Sequence, residues 1–328
     1  MKTSFQLLCH GHILSNTEAY QLFQGICEGH FNTAQIAAII AFYITRPVTV
    51  NELTGFRKAL MEICIPVKLN KSAIDVCGTG GDEKNTFNIS TLSALVLAAA
   101  GLPVAKHGNY GSSSVSGSSD ILKYLGYKFK SNSQDLNREF NKHHICFLHA
   151  PLFHPALKAV STQRKELAVK TFFNLLGPLA NPADIHFRYV GVYGLEVARI
   201  YNYILQKDTA NYCIVHSNDG YDEISLTSSF KYITKQAEQT IEPEFLGFKR
   251  LQPQEIFGGN TIKEASRIFL NVLQNECTIA QKNVVIVNSA LAMNAFDTKK
   301  PIHECVEICK EIIESKQTYS LFKNLIAN

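Results

Sequence analysis

The sequence lacks any strong excess of charge. Its 328 residues carry 32 Lys and Arg against 28 Asp and Glu, which gives a formal net charge of +4. A nucleic-acid-binding protein normally concentrates its basic residues in a stripe or block, and a charge this small over this length is too dilute for that. We therefore predict no nucleic-acid partner and expect any preference for anions to be local.

Long apolar runs are also missing. The longest, Ala94 to Ala105, contains Gly101 and Pro103 and is shorter than the roughly 18 residues that a membrane-spanning helix needs. The first 15 residues have neither a continuous apolar segment nor a small-residue cleavage site, as a signal peptide would. We expect a soluble protein without a membrane partner.

Paired cysteine motifs are absent as well. The nine cysteines form an odd set with no Cys-x-x-Cys pair, and most lie inside apolar segments. This pattern is typical of reduced, buried thiols, so we predict a cytoplasmic location. The apolar fraction of 46% and charged fraction of 18% are those of a globular protein and exclude a disordered scaffold.

The chain divides into a helical part and a part in which strands and helices alternate. From about residue 15 to 65 apolar residues recur at helical spacing, and Asn51 is predicted to cap a helix that stops before Pro66. From residue 72 short apolar strands alternate with helices, and several helices are predicted after Ile262. This order predicts an α/β fold with a small all-α domain, in which helices flank a mostly parallel central sheet.

Glycines follow directly after the first predicted strand. In the segment from Asp75 to Asp82, the run Gly78-Thr79-Gly80-Gly81 lets backbone N–H groups approach an anion, and a helix begins shortly afterwards. The segment matches neither the dinucleotide-binding nor the P-loop fingerprint. From these residues alone, a tight turn and a phosphate-binding loop are both open.

Two polar clusters lie at the ends of later predicted elements. The run 88–91, Asn-Ile-Ser-Thr, opens the next helix with more polar groups than an N-cap requires, so a plain cap and a site for phosphate or magnesium are both open. The loop 106–120 begins with Lys106 and His107 and continues with Asn109 and several serines. These residues suit either a flexible linker or a phosphorylated sugar at the end of a strand.

Charged residues at two further positions are candidates for ligand binding. Asp222 and Glu223 are adjacent in a turn-like segment after a strand, where they either face solvent or bind magnesium. Arg164 is either a surface charge or a guanidinium that holds a planar carboxylate bidentately.

Taken in this order, the motifs resemble the anthranilate phosphoribosyltransferase family. The resemblance extends over nearly the whole chain and includes the segments 28–38, 78–82, 88–91, 106–120, 172–182 and 222–223. It implies that the chain has the same fold plan as nucleoside phosphorylases and class 3 phosphoribosyltransferases. A small helical domain is expected at 1–70, joined by about 162–185, with a large phosphoribosyl-pyrophosphate-binding domain at 71–161 and 186–328.

The resemblance also implies substrates, a metal and a set of site residues. The substrates are phosphoribosyl pyrophosphate and anthranilate, and the cofactor is Mg²⁺, with ligands Ser90, Asp222 and Glu223. Alignment and electrostatics rather than a catalytic acid or base are expected to drive the reaction. The implied substrate-binding residues are Gly78, Thr79, Gly80, Gly81, Asp82, Thr86, Asn88, Ser90, Thr91, Lys106, His107, Gly108, Asn109, Ser114, His154 and Arg164, with Arg164 reading the carboxylate of anthranilate.

A homodimer formed through the helical part is implied too, and a separate anthranilate synthase amidotransferase is a possible partner. The chain departs from the family's usual residues at several positions. This chain has Tyr110 where the family usually has Arg, Val115 where it has Lys, and Ser119 where it has Ala. It also has Ala168 in place of the usual Gly and Lys170 in place of the usual Arg. Two cationic side chains are thereby lost near the expected phosphate site.

Two alternative functions remain open from the sequence. A pyrimidine nucleoside phosphorylase has a similar domain plan and a similar Lys-His-Gly-Asn serine loop, but uses inorganic phosphate and needs no magnesium-binding acidic pair. The pair Asp222-Glu223 and the Cys-Gly-Thr-Gly-Gly-Asp form of the glycine loop favour the transferase. A non-catalytic binding homologue is the second alternative.

Overall fold

The computed structural model describes residues 3–111, 115–167 and 170–327. Its N-terminal part is helical, as predicted, with α1 (Ser4–Cys9), α2 (Asn16–Cys27), α3 (Thr33–Thr45) and α4 (Val50–Glu62). The expected cap of α4 at Asn51 is wrong. Thr49 caps this helix, because its side chain accepts a hydrogen bond from the Glu52 N–H while the Glu52 carboxylate accepts one from the Thr49 N–H.

A seven-stranded sheet forms the centre of the rest of the chain. Its strands are β1 (Ala73–Gly78), β2 (Val104–Gly108), β3 (Ile145–His149), β4 (Ile185–Gly191), β5 (Asn211–Ser217), β6 (Phe230–Thr234) and β7 (Glu238–Ile241). They lie in the order β3-β2-β1-β4-β5-β6-β7. β1 to β5 pair in parallel, whereas β6 and β7 are antiparallel additions at one edge. The prediction of a mostly parallel sheet is confirmed.

Helices cover this sheet. The connections contain α5 (Ile89–Ala99), α6 (Ser118–Tyr124), α7 (Ser133–His143), α8 (Ala150–Phe153), α9 (Lys158–Leu167) and α10 (Leu195–Leu205). The C-terminal part contains α11 (Ile262–Leu273), α12 (Ile279–Phe296), α13 (Ile302–Glu314) and α14 (Gln317–Ile326). Short 3-10 turns at Phe172–Leu175 and Gly177–Leu179 precede β4.

Alternation along the strands divides the core between the two faces of the sheet. On β5, Cys213 and Val215 belong to one cluster, which also contains residues of α5 and of α11 to α14. Tyr212 and Ile214 belong to the other, which contains residues of α2, α3, α4 and α10. Because successive side chains of a strand point to opposite faces, one run of apolar residues serves both clusters.

An ion pair ties the helical part to the sheet region. Arg57 on α4 donates two parallel hydrogen bonds to the Asp208 carboxylate, at 2.9 and 2.6 Å, and its Nε donates to the Leu179 carbonyl at 2.9 Å. Arg57 and Asp208 are partly buried, and this bidentate geometry is the strong form of the pair. It holds α4 against the segment that leads into β4.

All nine cysteines are free thiols, as predicted, and five of them are buried; Cys9, however, is exposed. Within the described ranges, every helix is too short or too polar to cross a lipid bilayer.

Candidate functional site

Polar segments from β1, β2 and β5 meet at the carboxyl edge of the sheet. The glycine loop 78–82 follows β1, Lys106 lies on β2, and the segment 218–223 follows β5. Parallel strands end at the same edge, so residues far apart in sequence come together there.

The glycine loop packs directly against Asp222. Its Gly80 N–H donates a hydrogen bond to Asp222 Oδ2 at 2.6 Å. A Cβ atom at Gly78 would lie 2.3 Å from the same oxygen, so any other residue there would displace the Asp222 carboxylate. Gly80 and Gly81 both adopt positive φ, at 65° and 76°, a region that favours glycine. The loop is thus shaped by the acidic segment it faces.

Three carboxylates lie close together at this position. Asp222 is only 7% exposed. Burial raises its pKa well above the ordinary range, and the charges of Asp82 and Glu223 raise it further. Burial likewise raises the pKa of Glu223 to about 7. Asp82 Oδ2 is buried without a hydrogen-bond partner among the described residues. The mutual repulsion of these carboxylates therefore favours protonation of Asp222 and Glu223.

Glu223 also caps α5. Its Oε1 accepts a hydrogen bond from the Ser90 N–H at 2.8 Å. Asn88 occupies the N-cap position but makes no capping bond with its side chain, so of the two interpretations left open for the run 88–91 the plain side-chain cap is wrong. The carboxylate is favoured here by the positive end of the helix dipole. The helix terminus and the acidic pair are therefore parts of one site.

Lys106 supplies the positive charge of this edge. It is 2% exposed, and its Nζ donates to the Val76 carbonyl at 2.5 Å and to Ser90 Oγ at 3.3 Å. The ammonium group therefore points toward the start of α5. It also lowers the pKa of the buried Asp75 carboxyl, against the larger effect of burial, which raises it.

Asp75 holds the chain around Lys106 in place. Its Oδ1 accepts from the His107 N–H at 3.1 Å, and its Oδ2 accepts from Asn181 Nδ2 at 2.9 Å. The same amide group donates to the Ala105 carbonyl at 2.9 Å. Asp75 thereby links β1, β2 and the segment before β4.

Two buried histidines flank the 3-10 turn at Gly177–Leu179. His107 Nδ1 is 3.1 Å from the Gly177 carbonyl oxygen, and His154 Nε2 is 2.8 Å from that of Ala180. Their ring centroids are 5.3 Å apart. Burial lowers the pKa of both imidazoles to about 4. Both are therefore neutral at physiological pH.

Arg164, on α9, carries a partly buried guanidinium that has no acidic partner among the residues that the structure describes. Its Cζ lies 5.2 Å from the centre of the Phe173 ring. Burial lowers the pKa of Arg164, and within the described ranges no carboxylate offsets this effect. A partly buried cation in this setting is suited to an anionic ligand with an apolar ring.

The remaining predicted residues lie around the same edge, with one exception. Thr79 is buried and donates its N–H to the Gly191 carbonyl at 2.9 Å. Thr86 forms a backbone bridge with Phe257. The buried Thr91 lies in the first turn of α5, and Gly108 and Asn109 continue the chain from Lys106. Ser114 lies outside the described residues.

Comparison with known proteins places these features in a family. Residues 70–319 match the model described as "Glycosyl transferase family, a/b domain", and residues 3–64 match "Glycosyl transferase family, helical bundle domain". An anthranilate phosphoribosyltransferase of Bacteroides fragilis is 47% identical over 327 residues, 99% of each chain. The chain belongs to the anthranilate phosphoribosyltransferase family.

Solved structures agree with this assignment. The crystal structure of the anthranilate phosphoribosyltransferase from Thermus thermophilus superposes with a TM-score of 0.90 at 29% identity, covering 99% of both chains. The Saccharomyces cerevisiae enzyme in complex with PRPP and Mg has a TM-score of 0.89 at 25% identity, covering 99% of this chain and 96% of that one. The resemblance inferred from the sequence is confirmed.

At the position of the family's usual Arg, Tyr110 contacts the edge of the sheet. Its ring meets the His149 ring edge-on, with centroids 4.7 Å apart, and Lys123 Nζ lies 5.7 Å from the centre of the Tyr110 ring. Ser119 stands for the usual Ala and bonds to His149 Nδ1 at 2.9 Å. Two departures from the family pattern therefore share one partner, His149.

Lys170 retains a cation beside the glycine loop. A Cβ atom at Gly81 would lie 2.9 Å from Lys170 Cε. The ammonium group stacks 4.0 Å from the centre of the Tyr193 ring and lies 3.8 Å from Glu83 Oε1. The substitution of Lys for the family's usual Arg keeps the positive charge here but not the planar fork.

Three residues of this site were not predicted as functional. Asp75 and Asn181 orient the chain around Lys106 and His107, and Gly191 lets the backbone of Asp222 approach β4. Gly191 carries a signal in the sequence, because a glycine inside an apolar strand often marks a close backbone approach. Nothing in the sequence distinguishes Asn181 from a turn residue.

We expect Ser119→Ala to lower the free energy of unfolding by about 1 kcal/mol, because it leaves the buried His149 Nδ1 without its hydrogen-bond partner. Urea denaturation of the purified protein measures this loss. Ser118→Ala is the control, since Ser118 Oγ makes one long, exposed bond of 3.4 Å. Equal stability of the two variants would show that the Ser119 to His149 bond contributes nothing.

Proposed function

We propose that the chain transfers the phosphoribosyl group of phosphoribosyl pyrophosphate to the amine of anthranilate. The products are N-(5-phosphoribosyl)anthranilate and pyrophosphate, and the reaction belongs to tryptophan biosynthesis. One observation carries this proposal. At the carboxyl edge of the sheet, Asp222 accepts a hydrogen bond from the Gly80 N–H and Glu223 accepts one from the Ser90 N–H. This arrangement suits a leaving group that is both an anion and a metal ligand.

We assign phosphoribosyl pyrophosphate to the glycine loop, the start of α5 and the loop after β2. Lys106 offers a point charge, and the start of α5 offers the positive end of its helix dipole. The residues assigned to this substrate are Gly78, Thr79, Gly80, Gly81, Asp82, Thr86, Asn88, Ser90, Thr91, Lys106, Gly108 and Ser114.

Magnesium fits the acidic cluster. Asp222 and Glu223 offer carboxylate oxygens, Ser90 offers a hydroxyl, and the buried Asp82 Oδ2 has no other partner among the described residues. Within those ranges no three His, Cys, Asp or Glu side chains come together as a group that could hold a metal ion, so the proposed site needs substrate oxygens and waters as further ligands. Magnesium suits such an open set, because it keeps waters and substrate oxygens as ligands. When bound, it neutralises charge that develops on the leaving pyrophosphate.

The chain's own residues supply alignment and electrostatics. An aromatic amine is unprotonated at neutral pH, so its lone pair attacks the anomeric carbon while the bond to pyrophosphate breaks and its electron pair leaves with the pyrophosphate. The nitrogen then releases one proton. Lys106 stabilises the departing anion without moving, since its ammonium group is already held by Val76 and Ser90.

We assign the aromatic acid to Arg164, His107, Asn109 and His154. Arg164 suits the carboxylate, because its guanidinium has no acidic partner in the part of the chain that the structure describes and lies over the Phe173 ring. The two neutral histidines both bond to the segment 177–180 that follows Phe173 closely along the chain.

Arg164→Ala is expected to raise the KM for anthranilate by roughly 10- to 100-fold while changing the KM for phosphoribosyl pyrophosphate less than threefold, because the carboxylate belongs to one substrate only. Steady-state kinetics with each substrate varied in turn measures the separation. The exposed Arg199 on α10 provides the control variant Arg199→Ala. Equal losses for both substrates would instead assign Arg164 a structural role.

The activity itself is tested by following anthranilate fluorescence and pyrophosphate release together, with phosphoribosyl pyrophosphate and MgCl₂ present. We expect both signals, and we expect neither when EDTA replaces MgCl₂. Cleavage of uridine or thymidine by inorganic phosphate without either signal would favour the nucleoside phosphorylase alternative. Binding of phosphoribosyl pyrophosphate without turnover would favour the non-catalytic homologue.

We further propose a cytoplasmic homodimer. Nine free thiols suit a reducing compartment. Among the described residues of the 1–70 part, three large apolar side chains are exposed, Ile13 by 65%, Ile44 by 47% and Ile65 by 48%, which suits an interface there. The division at 1–70 with 162–185, against 71–161 and 186–328, is supported by Phe172 and Phe173 packing with Phe56 and Phe23 of the helical part. Light scattering tests the dimer.

The amidotransferase of anthranilate synthase remains a predicted partner that rests on the resemblance alone. Co-purification of the two proteins at micromolar concentration tests it.

A further inference from the structure

The backbone of the acidic segment after β5 is held by side chains. Within the described ranges, neither Glu223 nor Ile224 makes a hydrogen bond to another main-chain group. β5 ends at Ser217, so the hydrogen bonds of the sheet do not extend to these two residues. The position of the Glu223 carboxylate therefore depends on the side chains that bind this part of the backbone.

Asn288, on α12, pairs with both main-chain groups of Ile224. Its Oδ1 accepts a hydrogen bond from the Ile224 N–H at 3.1 Å, and its Nδ2 donates to the Ile224 carbonyl at 2.8 Å. The same Nδ2 donates to the Val284 carbonyl, one turn earlier on α12, at 2.9 Å. The Tyr189 hydroxyl on β4 donates to Asn288 Oδ1 at 3.4 Å. These two further bonds orient the amide that faces Ile224.

Ser217, the last residue of β5, binds the other end of the same peptide group. Its Oγ donates to the Glu223 carbonyl at 2.8 Å and accepts from the Ser225 N–H at 3.1 Å. The Glu223 carbonyl and the Ile224 N–H belong to one planar trans peptide, in which they point in opposite directions. The peptide is therefore held at its carbonyl by β5 and at its N–H by α12.

Asn288 is an unfavourable residue for its place in α12. It is 2% exposed, and the residues at 284–287 and 290–293 around it are buried and apolar. Burying an amide costs free energy unless its hydrogen bonds are made, and Asn forms helices less readily than Leu or Ala. Such a break in a local apolar pattern is expected where function requires it. Here the amide's partner outside α12 is the residue after Glu223.

We infer that Asn288 is a positioning residue for the proposed magnesium site, because it fixes the peptide between Glu223 and Ile224. This inference rests on the proposed transferase function. With this peptide held, the Glu223 carboxylate reaches the Ser90 N–H at 2.8 Å. A loosened peptide would let the carboxylate leave that bond. Groups that orient a metal ligand contribute to metal affinity although they do not contact the metal.

Two variants loosen this peptide independently. Asn288→Ala removes both bonds to Ile224, and Ser217→Ala removes the bond to the Glu223 carbonyl. Ser289→Ala is the matched control. Ser289 is fully buried on the same helix, and its Oγ donates to a carbonyl of that helix at 2.7 Å, so this variant loses a buried bond without changing the acidic segment.

The first readout is the MgCl₂ concentration that gives half-maximal transfer at saturating substrates. We expect Asn288→Ala to raise this concentration by ~10-fold, and Ser217→Ala to raise it less, since it removes one bond to this peptide unit. The KM for anthranilate should change less than twofold in both variants. A purely structural role would lower the melting temperature in EDTA without changing the magnesium requirement.

The second readout needs no turnover. It is the rise in melting temperature when MgCl₂ replaces EDTA in the presence of phosphoribosyl pyrophosphate, because a ligand that binds the folded state stabilises it. We expect a clear rise in the wild type and in Ser289→Ala. The rise should be smaller in Asn288→Ala and in Ser217→Ala at the same MgCl₂ concentration.

The outcomes separate this inference from the proposed function. A wild-type protein that consumes no anthranilate and shows no rise in melting temperature contradicts the function. An active wild type, with the same magnesium requirement in Asn288→Ala as in Ser289→Ala, overturns the inference and assigns Asn288 a purely structural role. If Asn288→Ala does not fold, Ser217→Ala decides, and an unchanged magnesium requirement in that variant overturns the inference as well.

Discussion

Asp222→Asn and Glu223→Gln are each expected to lower kcat/KM by at least roughly 10²-fold while leaving the protein folded. Each change removes a negative charge that the proposed magnesium site requires, but keeps an oxygen that can accept the hydrogen bond from Gly80 or Ser90. The measurement is steady-state transfer at limiting and saturating MgCl₂. Glu196→Gln, at an exposed position in the first turn of α10, is the matched control.

Although Glu223→Gln should lower activity, it should make the folded protein less sensitive to rising pH. Burial raises the pKa of Glu223 from 4.5 to about 7, so the unfolded chain releases this proton at lower pH than the folded chain does. Without divalent metal, the free energy of unfolding should fall between pH 5 and pH 8, by at most on the order of 3 kcal/mol from this group. Glu223→Gln should lose that part of the slope.

Urea denaturation in EDTA at pH 5, 6, 7 and 8 tests this linkage, and a parallel series in MgCl₂ should show a smaller fall. Protons and metal compete for the same carboxylate, so apparent magnesium affinity should also weaken as the pH drops below 7. Identical pH slopes for the wild type and Glu223→Gln would show that Glu223 is not desolvated in solution.

The spacing of apolar residues predicted the central sheet and its helices. It did not predict an edge strand that is held by main-chain hydrogen bonds alone. Each of the apolar strands β1 to β5 and the buried helix α5 has an apolar pattern that is typical of one type of element. The alternation of these segments along the chain therefore predicted the sheet. The edge strand β7 has the sequence Glu-Gln-Thr-Ile, with three exposed positions. Its pairing with β6 relies on main-chain hydrogen bonds, which leave no apolar pattern to read.

The site was predictable in its parts and not in its connections. Glycines after a strand and an adjacent acidic pair are local signals, and the sequence contains both. The bond from the Ser90 N–H to Glu223 joins residues 133 positions apart. It depends on the order of β1, β4 and β5 in the sheet. No local pattern contains that order, which is why the sequence left a plain cap and a ligand site both open for the run 88–91 and did not indicate Glu223 as the cap.

Tyr110 illustrates the same limit for single substitutions. From the sequence alone, Tyr110 in place of the family's usual Arg predicts the loss of a cation near the expected phosphate site. In the structure its ring packs on His149, which also bonds Ser119. The two substitutions are therefore coupled through a third residue on β3, and their joint effect depends on a contact that neither position reveals alone.

Gly191→Ala is expected to have the largest combined effect on stability and activity. An ideal Cβ at this position would lie 1.6 Å from the carbonyl oxygen of Asp222 and 2.7 Å from its carbonyl carbon. The neighbour is backbone, which cannot rotate away as a side chain can, so the segment 222–223 or the end of β4 must shift. We expect a loss of about 3 kcal/mol or more in the free energy of unfolding.

Activity should fall further than stability alone explains. Displacing Asp222 by about an ångström also moves its bond with Gly80 and the cap that Glu223 provides for α5, and misplacement on this scale costs roughly 10²-fold in rate. Gly194→Ala is the matched control three residues later, where an added Cβ meets nothing within 4 Å. It should cost less than about 1 kcal/mol, the effect expected at the N-cap of α10. Thermal melting and kinetics measured below the melting temperature separate the two effects. A Gly191→Ala protein with wild-type melting and turnover would show that the acidic segment moves freely over β4, and that its close packing is not what positions the carboxylates.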